Sequence, residues 1–243
     1  AAVLCNWQLS PQPGTHTLTQ VAQKDIFRIL RRMISDLGAG IHYCTNSPVL
    51  FDAILLLTGT QVVLAVLGSL GPGFADRVLE IDVRDASLYI TAPVVLGIIG
   101  GALWVGNRGY RFPSSYLINT GVLSAGVILM IISVVVRLSR MVTNQGLFTP
   151  MFMLPIVFML FILLGIANSF MDVPANSTLQ KEAEGPMRGR VYGMLTAAVG
   201  GIGMLPVVVG GVLADLVGVG KVIFALGTII TAYGLFRIRY NKA

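Results

Sequence analysis

Uncharged polar residues inside apolar stretches are the part of this sequence best able to do chemistry. Thr58 and Gln61 lie in an apolar run that begins at Pro48, and Asn119 and Asn168 lie in two later runs. Hydrocarbon disfavours such groups unless they face a protein interior or a watery cavity. We predict that all four line a substrate cavity and form hydrogen bonds to a solute. A bond to a neighbouring backbone carbonyl is the alternative for each of them.

The sequence contains none of the common catalytic motifs. There is no HExxH, GxSxG or Walker loop, and Gly68, Gly71 and Gly73 lack the following strand and helix of a nucleotide-binding loop. Cys5 and Cys44 form no CxxC or Cys/His cluster, so no metal site is predicted. We therefore predict a protein that is not an enzyme and that uses no cofactor.

The composition places these residues in a membrane. The chain is 55% hydrophobic and 12% charged, whereas roughly a quarter of the residues in soluble proteins are charged. Six apolar runs approach the length of about 20 residues that a helix needs to cross a bilayer. They cover residues 48–73, 86–106, 115–136, 150–171, 190–214 and 219–237. We predict an all-α, polytopic membrane protein whose six-transmembrane-helix bundle occupies residues 48–238.

The segment before the first apolar run has a different pattern. The chain opens without Met and without a signal-peptide pattern, so residues 1–19 are interpreted as the end of a preceding segment and a cytoplasmic linker. Over residues 20–38, apolar residues recur at helical spacing while Arg28, Arg31 and Arg32 lie among those on the other face. This pattern predicts an amphipathic helix in the headgroup layer. A soluble helix packed on the bundle is the alternative.

The basic residues predict which side of the membrane each loop occupies. If the amino-terminal segment is inside, twelve of the seventeen Lys and Arg residues fall inside and five outside. Cytoplasmic loops keep such an excess, so we predict that both termini, including the tail 239–243, are cytoplasmic. The net charge of +6 is thereby attributed to topology, because no motif indicates nucleic acid. The predicted location is the plasma membrane, which is the inner membrane in a bacterium.

Three stretches of the sequence resemble a known family. They are residues 101–111 (GALWVGNRGYR), residues 173–180 (VPANSTLQ) followed by residues 188–191 (RGRV), and the glycine-rich residues 200–215. Together with the order of the predicted helices, they resemble the carboxyl-terminal half, spans seven to twelve, of a major facilitator superfamily transporter of the drug or siderophore exporter branch. The first stretch departs from the family's loop motif, since Gly106 and Asn107 stand where an acidic residue is expected.

The resemblance implies a secondary active transporter that exports small amphipathic molecules by alternating access. It also implies a partner, a missing amino-terminal six-helix half that would enclose a central small-molecule site together with this one. Since no ATP-hydrolysing motif is present, a gradient would drive any uphill transport. The alternative is a six-span channel, scaffold or regulatory subunit without transport of its own.

Charged and small residues complete the set of candidates. The predicted cytoplasmic gate and loop residues are Arg108, Arg111, Asp172, Arg188 and Arg190, while Asp52, near the start of the first span, is interpreted as a gate or pairing residue. The predicted packing and hinge residues are Gly200, Gly203, Pro206, Gly210 and Gly211. Small residues allow helices to approach closely and proline interrupts the helical hydrogen bonds, so the fifth span is predicted to move against its neighbour. Static tight packing is the alternative.

Overall fold

The structure is a computed structural model that describes residues 47–74, 87–143, 150–183 and 187–240. The regular elements in these ranges are helices. They are α1 Pro48–Phe74, α2 Ala92–Arg108, α3 Ser114–Thr143, α4 Pro150–Glu182, α5 Met187–Ala197, α6 Met204–Val217 and α7 Val219–Tyr240. A π-helical turn at Ser87–Thr91 leads into α2, a second at Ala198–Ile202 follows α5, and a 3₁₀ turn at Gly109–Arg111 follows α2.

Six helical segments in the described ranges are long and apolar enough to cross a membrane, and α5 and α6 together form the fifth. The predicted all-α bundle of six apolar spans is therefore confirmed. The segments are Pro48–Gly71, Tyr89–Arg111, Ser114–Leu138, Pro155–Glu182, Arg188–Val217 and Val219–Arg239. The predicted amphipathic helix at 20–38 and the segment 1–19 lie outside the described residues, as do residues 241–243 of the tail.

Helix α4 extends beyond its predicted apolar run, which ends at residue 171. It continues through Pro174 to Glu182. The side chains of Asn176 and Thr178 each donate a hydrogen bond to a backbone carbonyl one turn earlier in this part of the helix. Hydropathy marks where a segment leaves the hydrocarbon, whereas a helix continues as long as its backbone groups stay paired. The sequence suggested that Asp172 lies at the end of the fourth span, but the structure places it inside α4.

Small residues bring α2 and α4 into backbone contact. Gly97 on α2 contacts Gly165 on α4, and one helical turn further along both helices Gly101 contacts Ser169. A Cβ atom added at Gly101 would lie 2.8 Å from the Cβ of Ser169. The Ser169 hydroxyl donates a hydrogen bond of 2.7 Å to the carbonyl of Ile98 across the same interface. Close backbone approach and one interhelical hydrogen bond are the usual means of joining helices in a membrane.

Helices α3 and α7 are joined in a similar way. A Cβ atom added at Gly227 would lie 2.9 Å from the carbonyl oxygen of Gly126, and the backbone nitrogen of Thr231 is close to Gly126 as well. The Ser133 hydroxyl donates a 2.7 Å hydrogen bond to the carbonyl of Gly220. Helix α3 also packs on α4, and α1 packs on α4 and α6. The bundle is thus built around α4, with the largest fully buried apolar side chains at Leu50, Val66, Leu129, Ile132, Leu179 and Val191.

Candidate functional site

A pocket of about 220 Å³ lies between α1, α3, α4 and α7. Its apolar walls consist of Leu55, Leu56, Gly59, Val63, Leu64, Leu67, Val122, Ala125, Leu164, Met171 and Ile230. Three polar residues, Thr60, Asn168 and Tyr233, interrupt this surface. The pocket lies wholly among helices of this chain and has the apolar lining with few polar groups that is typical of small-molecule sites.

A second pocket of about 240 Å³ adjoins the first along α1. Leu64, Leu67 and Leu164 line both pockets, and the second extends from them to Phe74 at the end of α1 and to Ile90 before α2. The two pockets therefore form a groove along much of α1. Its apolar surface favours solutes that are themselves mostly apolar.

Of the four residues predicted to line a cavity, Asn168 alone lines this pocket. The side-chain oxygens of Thr58 and Asn119 are buried elsewhere and have no hydrogen-bond partner in the described part of the chain. Gln61 is exposed on the bundle surface. The assignment to a substrate cavity stays a prediction for all four residues. Tyr233 was missed, because a tyrosine near the end of an apolar run is typical of an interfacial anchor.

Asn168 and Thr60 differ in what their polar groups do. The Thr60 hydroxyl donates a 2.9 Å hydrogen bond to the carbonyl of Leu57 on its own helix, so its proton is already used. The Asn168 side chain is only 8% exposed and forms no hydrogen bond with any described residue. An amide carries both donor and acceptor groups, and it is costly to bury one without a partner. Asn168 is therefore a buried polar group of this pocket that is free to bind a solute, whereas Tyr233, the third polar residue of the lining, is 36% exposed.

An ion pair joins the first and last spans beside this pocket. The Arg237 guanidinium donates through Nη1 to Asp52 Oδ1 at 2.8 Å and through Nη2 to Asp52 Oδ2 at 2.5 Å. The Arg237 side chain is 11% exposed and that of Asp52 is 43% exposed. Leu55 and Leu56 follow Asp52 by one helical turn, and Tyr233 precedes Arg237 by one turn. The pair therefore lies at one end of the seam between α1 and α7 that the pocket occupies.

Asp172 engages its own helix. The Asn176 side-chain amide donates to Asp172 Oδ2 at 3.1 Å and to the Asp172 carbonyl at 3.2 Å, while Asp172 Oδ1 is buried without a partner among the described residues. In the described structure no ion pair joins Asp172 to Arg108, Arg111 or Arg188. The structure therefore does not assemble these four predicted gate residues into one cluster.

The predicted gate arginines have separate local surroundings. Arg111 lies 5.6 Å from the ring centre of Tyr110, and its Nε donates to the Tyr110 hydroxyl at 3.3 Å. Arg188, at the start of α5, donates from Nη2 to the Gln180 carbonyl at 3.1 Å and from Nε to the Ala183 carbonyl at 3.4 Å. Arg108 and Arg190 have exposed side chains. Arg188 thus caps the carboxyl end of α4, where free carbonyls and the helix dipole favour a cation.

We expect Arg188→Ala to lower the free energy of unfolding by about 1 kcal/mol, because two carbonyls at the end of α4 lose a charged donor. Titration of the purified chain with sodium dodecyl sulfate, followed by circular dichroism, measures this change. Arg188→Lys is the matched control and should retain part of the stability, since it keeps the charge but loses the forked donors. Equal stability of the alanine variant and the wild type would contradict the capping role.

The glycines predicted in the fifth span fall into two groups. Gly203 and Gly210 face α1, where an added Cβ atom would lie 3.1 Å from side-chain atoms of Val62 and Val66, respectively, and at Gly203 it would also overlap the Val199 carbonyl of the preceding turn. A Cβ atom added at Gly211 would lie 4.0 Å from Ser69 Oγ, and one added at Gly200 would meet no other described atom within 4 Å. Gly203 and Gly210 are therefore packing positions against α1.

The fifth span is interrupted close to the predicted proline. The π-helical turn Ala198–Ile202 ends directly before Gly203, and Pro206 lies in the first turn of α6. A proline at this position has no N–H for the carbonyl one turn earlier, and the first turn of a helix tolerates that loss. The geometry agrees with an interruption at this point, and movement about it stays a prediction.

Comparison with known proteins gives one group of relatives. The chain is 26% identical over 209 residues to the multidrug efflux pump Tap of Mycobacterium tuberculosis and to that of Mycobacterium bovis. The aligned region covers 85% of this chain and 45% of each relative, so the chain spans just under half the length of these curated relatives. No family model and no solved structure matches the chain.

Proposed function

We propose that this chain is one half of a secondary transporter that exports small amphipathic molecules. The similarity to the multidrug efflux pump Tap over 209 residues is the observation that carries the proposal. A region that matches 45% of such a pump and holds six apolar spans has the size of one of two six-helix halves. The pocket between α1, α3, α4 and α7 offers the apolar surface that an amphipathic solute needs.

The uneven burial of the spans supports a second six-helix partner. The second and fifth spans are the least buried of the six described. A Cβ atom added at Gly193, Gly200 or Gly201 in the fifth span would find open space within 4 Å among the described residues. Small residues on an open helical face permit close approach of another helix in a membrane. We therefore place the surface for the missing half on these two spans.

In this proposal the two halves rock about a site between them and expose it alternately to each side. The interrupted fifth span supplies a point of bending, and the Asp52–Arg237 pair holds α1 against α7. Both termini are cytoplasmic in the proposed orientation, so this pair and Arg188 lie on the cytoplasmic side, where the gate is proposed. A gradient supplies the energy.

Efflux of N-phenyl-1-naphthylamine, an uncharged fluorescent amphipath, tests the proposal. The coding sequence is expressed together with the sequence upstream of Ala1 in cells loaded with the dye. We expect faster loss of fluorescence than in cells with an empty vector, and a protonophore should abolish the difference if protons drive transport. Gly165→Ile, which is expected to disrupt packing of α2 on α4, is the inactive control. Retention of the dye at the empty-vector level would refute the proposal.

Accumulation of the same dye in inverted vesicles separates the transporter from the alternative of a channel, scaffold or regulatory subunit. A channel would equilibrate the dye without accumulation against a gradient in inverted vesicles, and a scaffold would move none. The uncharged, mostly apolar lining of the pocket favours the transporter, since an ion channel needs rings of charges or carbonyls along a pore.

A further inference from the structure

We propose that the pocket between α1, α3, α4 and α7 is a complete ligand site within this chain, and that it binds an uncharged, mostly apolar small molecule through the Asn168 amide. The inference goes beyond the proposed function, because it needs neither the missing half nor transport. It rests on the lining of the pocket and on the Asn168 amide, which is buried and has no hydrogen-bond partner among the described residues.

The lining excludes a charged ligand. No Asp, Glu, Lys, Arg or His side chain is among the residues that line the pocket. The nearest carboxylate by position on α1, Asp52, is already paired with Arg237 through two hydrogen bonds. An ion that left water for these apolar walls would lose its hydration and gain no opposite charge. The site therefore selects neutral molecules.

Asn168 provides the point of recognition. Its side chain is more than nine-tenths buried, lines the pocket and has no hydrogen-bond partner among the described residues. The Thr60 hydroxyl can donate no hydrogen bond to a ligand, because it already donates its proton to the Leu57 carbonyl. A ligand that carries a carbonyl or hydroxyl group satisfies the Asn168 amide, whereas a pure hydrocarbon leaves it unpaired. We therefore assign the site to neutral molecules that carry one such group on an apolar frame.

The volume sets the size of the ligand. About 220 Å³ lies below the range of roughly 300–1,000 Å³ for sites that hold drug-sized molecules. One compact aromatic or alicyclic unit fits, and a longer molecule extends past Leu64 and Leu67 into the adjoining pocket of about 240 Å³. The pocket opens at the seam between α1 and α7, where Leu55, Gly59 and Tyr233 are exposed.

Photolabelling of the 243-residue chain in lipid nanodiscs tests the inference. The probe is benzophenone, which is uncharged, apolar and carries one carbonyl. Digestion and mass spectrometry should place the label on peptides of α1, α3, α4 or α7. We expect Asn168→Leu, which keeps the number and branching of the side-chain heavy atoms and replaces the amide by two methyl groups, to lower labelling about tenfold. Competition should follow the same chemistry, with 9-fluorenone effective and fluorene, which lacks the carbonyl, much weaker.

A pair of glycine variants separates site binding from partition into lipid. Gly59 lines the pocket and has no neighbour within 4 Å, so Gly59→Leu fills space without a backbone clash and should abolish labelling. Gly100→Leu is the matched control, since Gly100 on α2 is equally open and lies outside the pocket lining. Circular dichroism checks that each variant is folded.

Two results would overturn the inference: labelling that Asn168→Leu and Gly59→Leu leave unchanged, or equal competition by fluorene and fluorenone. Either would mean that a lipid chain or nonspecific partition accounts for the label. Because labelling uses this chain alone and dye efflux uses the longer protein, the two failures are distinguishable: failure of labelling removes this pocket as the binding surface but not the transport, and failure of efflux leaves this site untouched.

Discussion

Replacing Gly97 or Gly165 by alanine is expected to lower the free energy of unfolding by about 3 kcal/mol, and replacement by leucine should prevent α2 from packing on α4. A Cβ atom at Gly97 would overlap the carbonyl of Ile162, and one at Gly165 would lie 2.8 Å from the Ile98 nitrogen and overlap the Val94 carbonyl. These neighbours are backbone atoms of packed helices, so they cannot move aside as a flexible side chain would. The two helices must separate, which also breaks the hydrogen bond from Ser169 to Ile98.

The control for this experiment lies on the same helix. Gly100 has no atom within 4 Å of an added Cβ, so Gly100→Leu should change the stability by less than about 1 kcal/mol. Titration with sodium dodecyl sulfate followed by circular dichroism gives the free energy of unfolding for each variant. If Gly97→Leu and Gly100→Leu were equally stable, the close contact between α2 and α4 would be wrong.

Removing the Asp52 charge is expected to cost about 2 kcal/mol of stability, because it leaves Arg237 unpaired with only 11% of its side chain exposed. The expected cost is below that of a fully buried pair, since Asp52 itself is 43% exposed and water screens part of the interaction. Asp52→Asn is the suitable variant, because it keeps the shape of the side chain and removes the charge. Arg237→Met should cost less, as it leaves behind a carboxylate that can reach water.

A double-mutant cycle isolates the interaction of the two charges. If the pair acts as the structure indicates, Asp52→Asn combined with Arg237→Met should be more stable than the sum of the two single losses predicts, by about 1 kcal/mol. The same detergent titration measures all four proteins. Additive losses would show that Asp52 and Arg237 do not interact in the membrane. They would contradict the proposal that this pair holds α1 against α7.

The fates of the four predicted cavity residues show why sequence alone could not place the site. Thr58, Gln61, Asn119 and Asn168 were chosen by residue type within apolar runs, yet only Asn168 lines the pocket. In a soluble helix the apolar stripe marks the inner face. Here the lipid-facing and inward-facing sides are both apolar, so the spans carry little information on which way a polar residue points.

The positions of close helix contact were equally hidden. The glycines predicted as packing positions lie in the fifth span, where Gly203 and Gly210 do pack on α1. The tightest helix contacts among the described residues instead join Gly97 to Gly165 and Gly126 to Gly227. A glycine permits contact without specifying the partner, and the partner is set by which other helix also presents small residues at the same depth. Whether small residues on two helices lie opposite each other depends on both helix surfaces together, and neither sequence segment reveals it alone.

The amino-acid sequence by itself determined that this protein is a bundle of six apolar helices, because backbone groups in hydrocarbon must be paired within their own segment and the length of each run then defines a span. Only the tertiary structure decided which faces meet. It brought Asp52 to Arg237 across 185 residues of sequence, and it placed Asn168 in an apolar pocket with no hydrogen-bond partner among the described residues. Such contacts depend on packing between helices, where lipid and protein are equally apolar and geometry alone selects the neighbour.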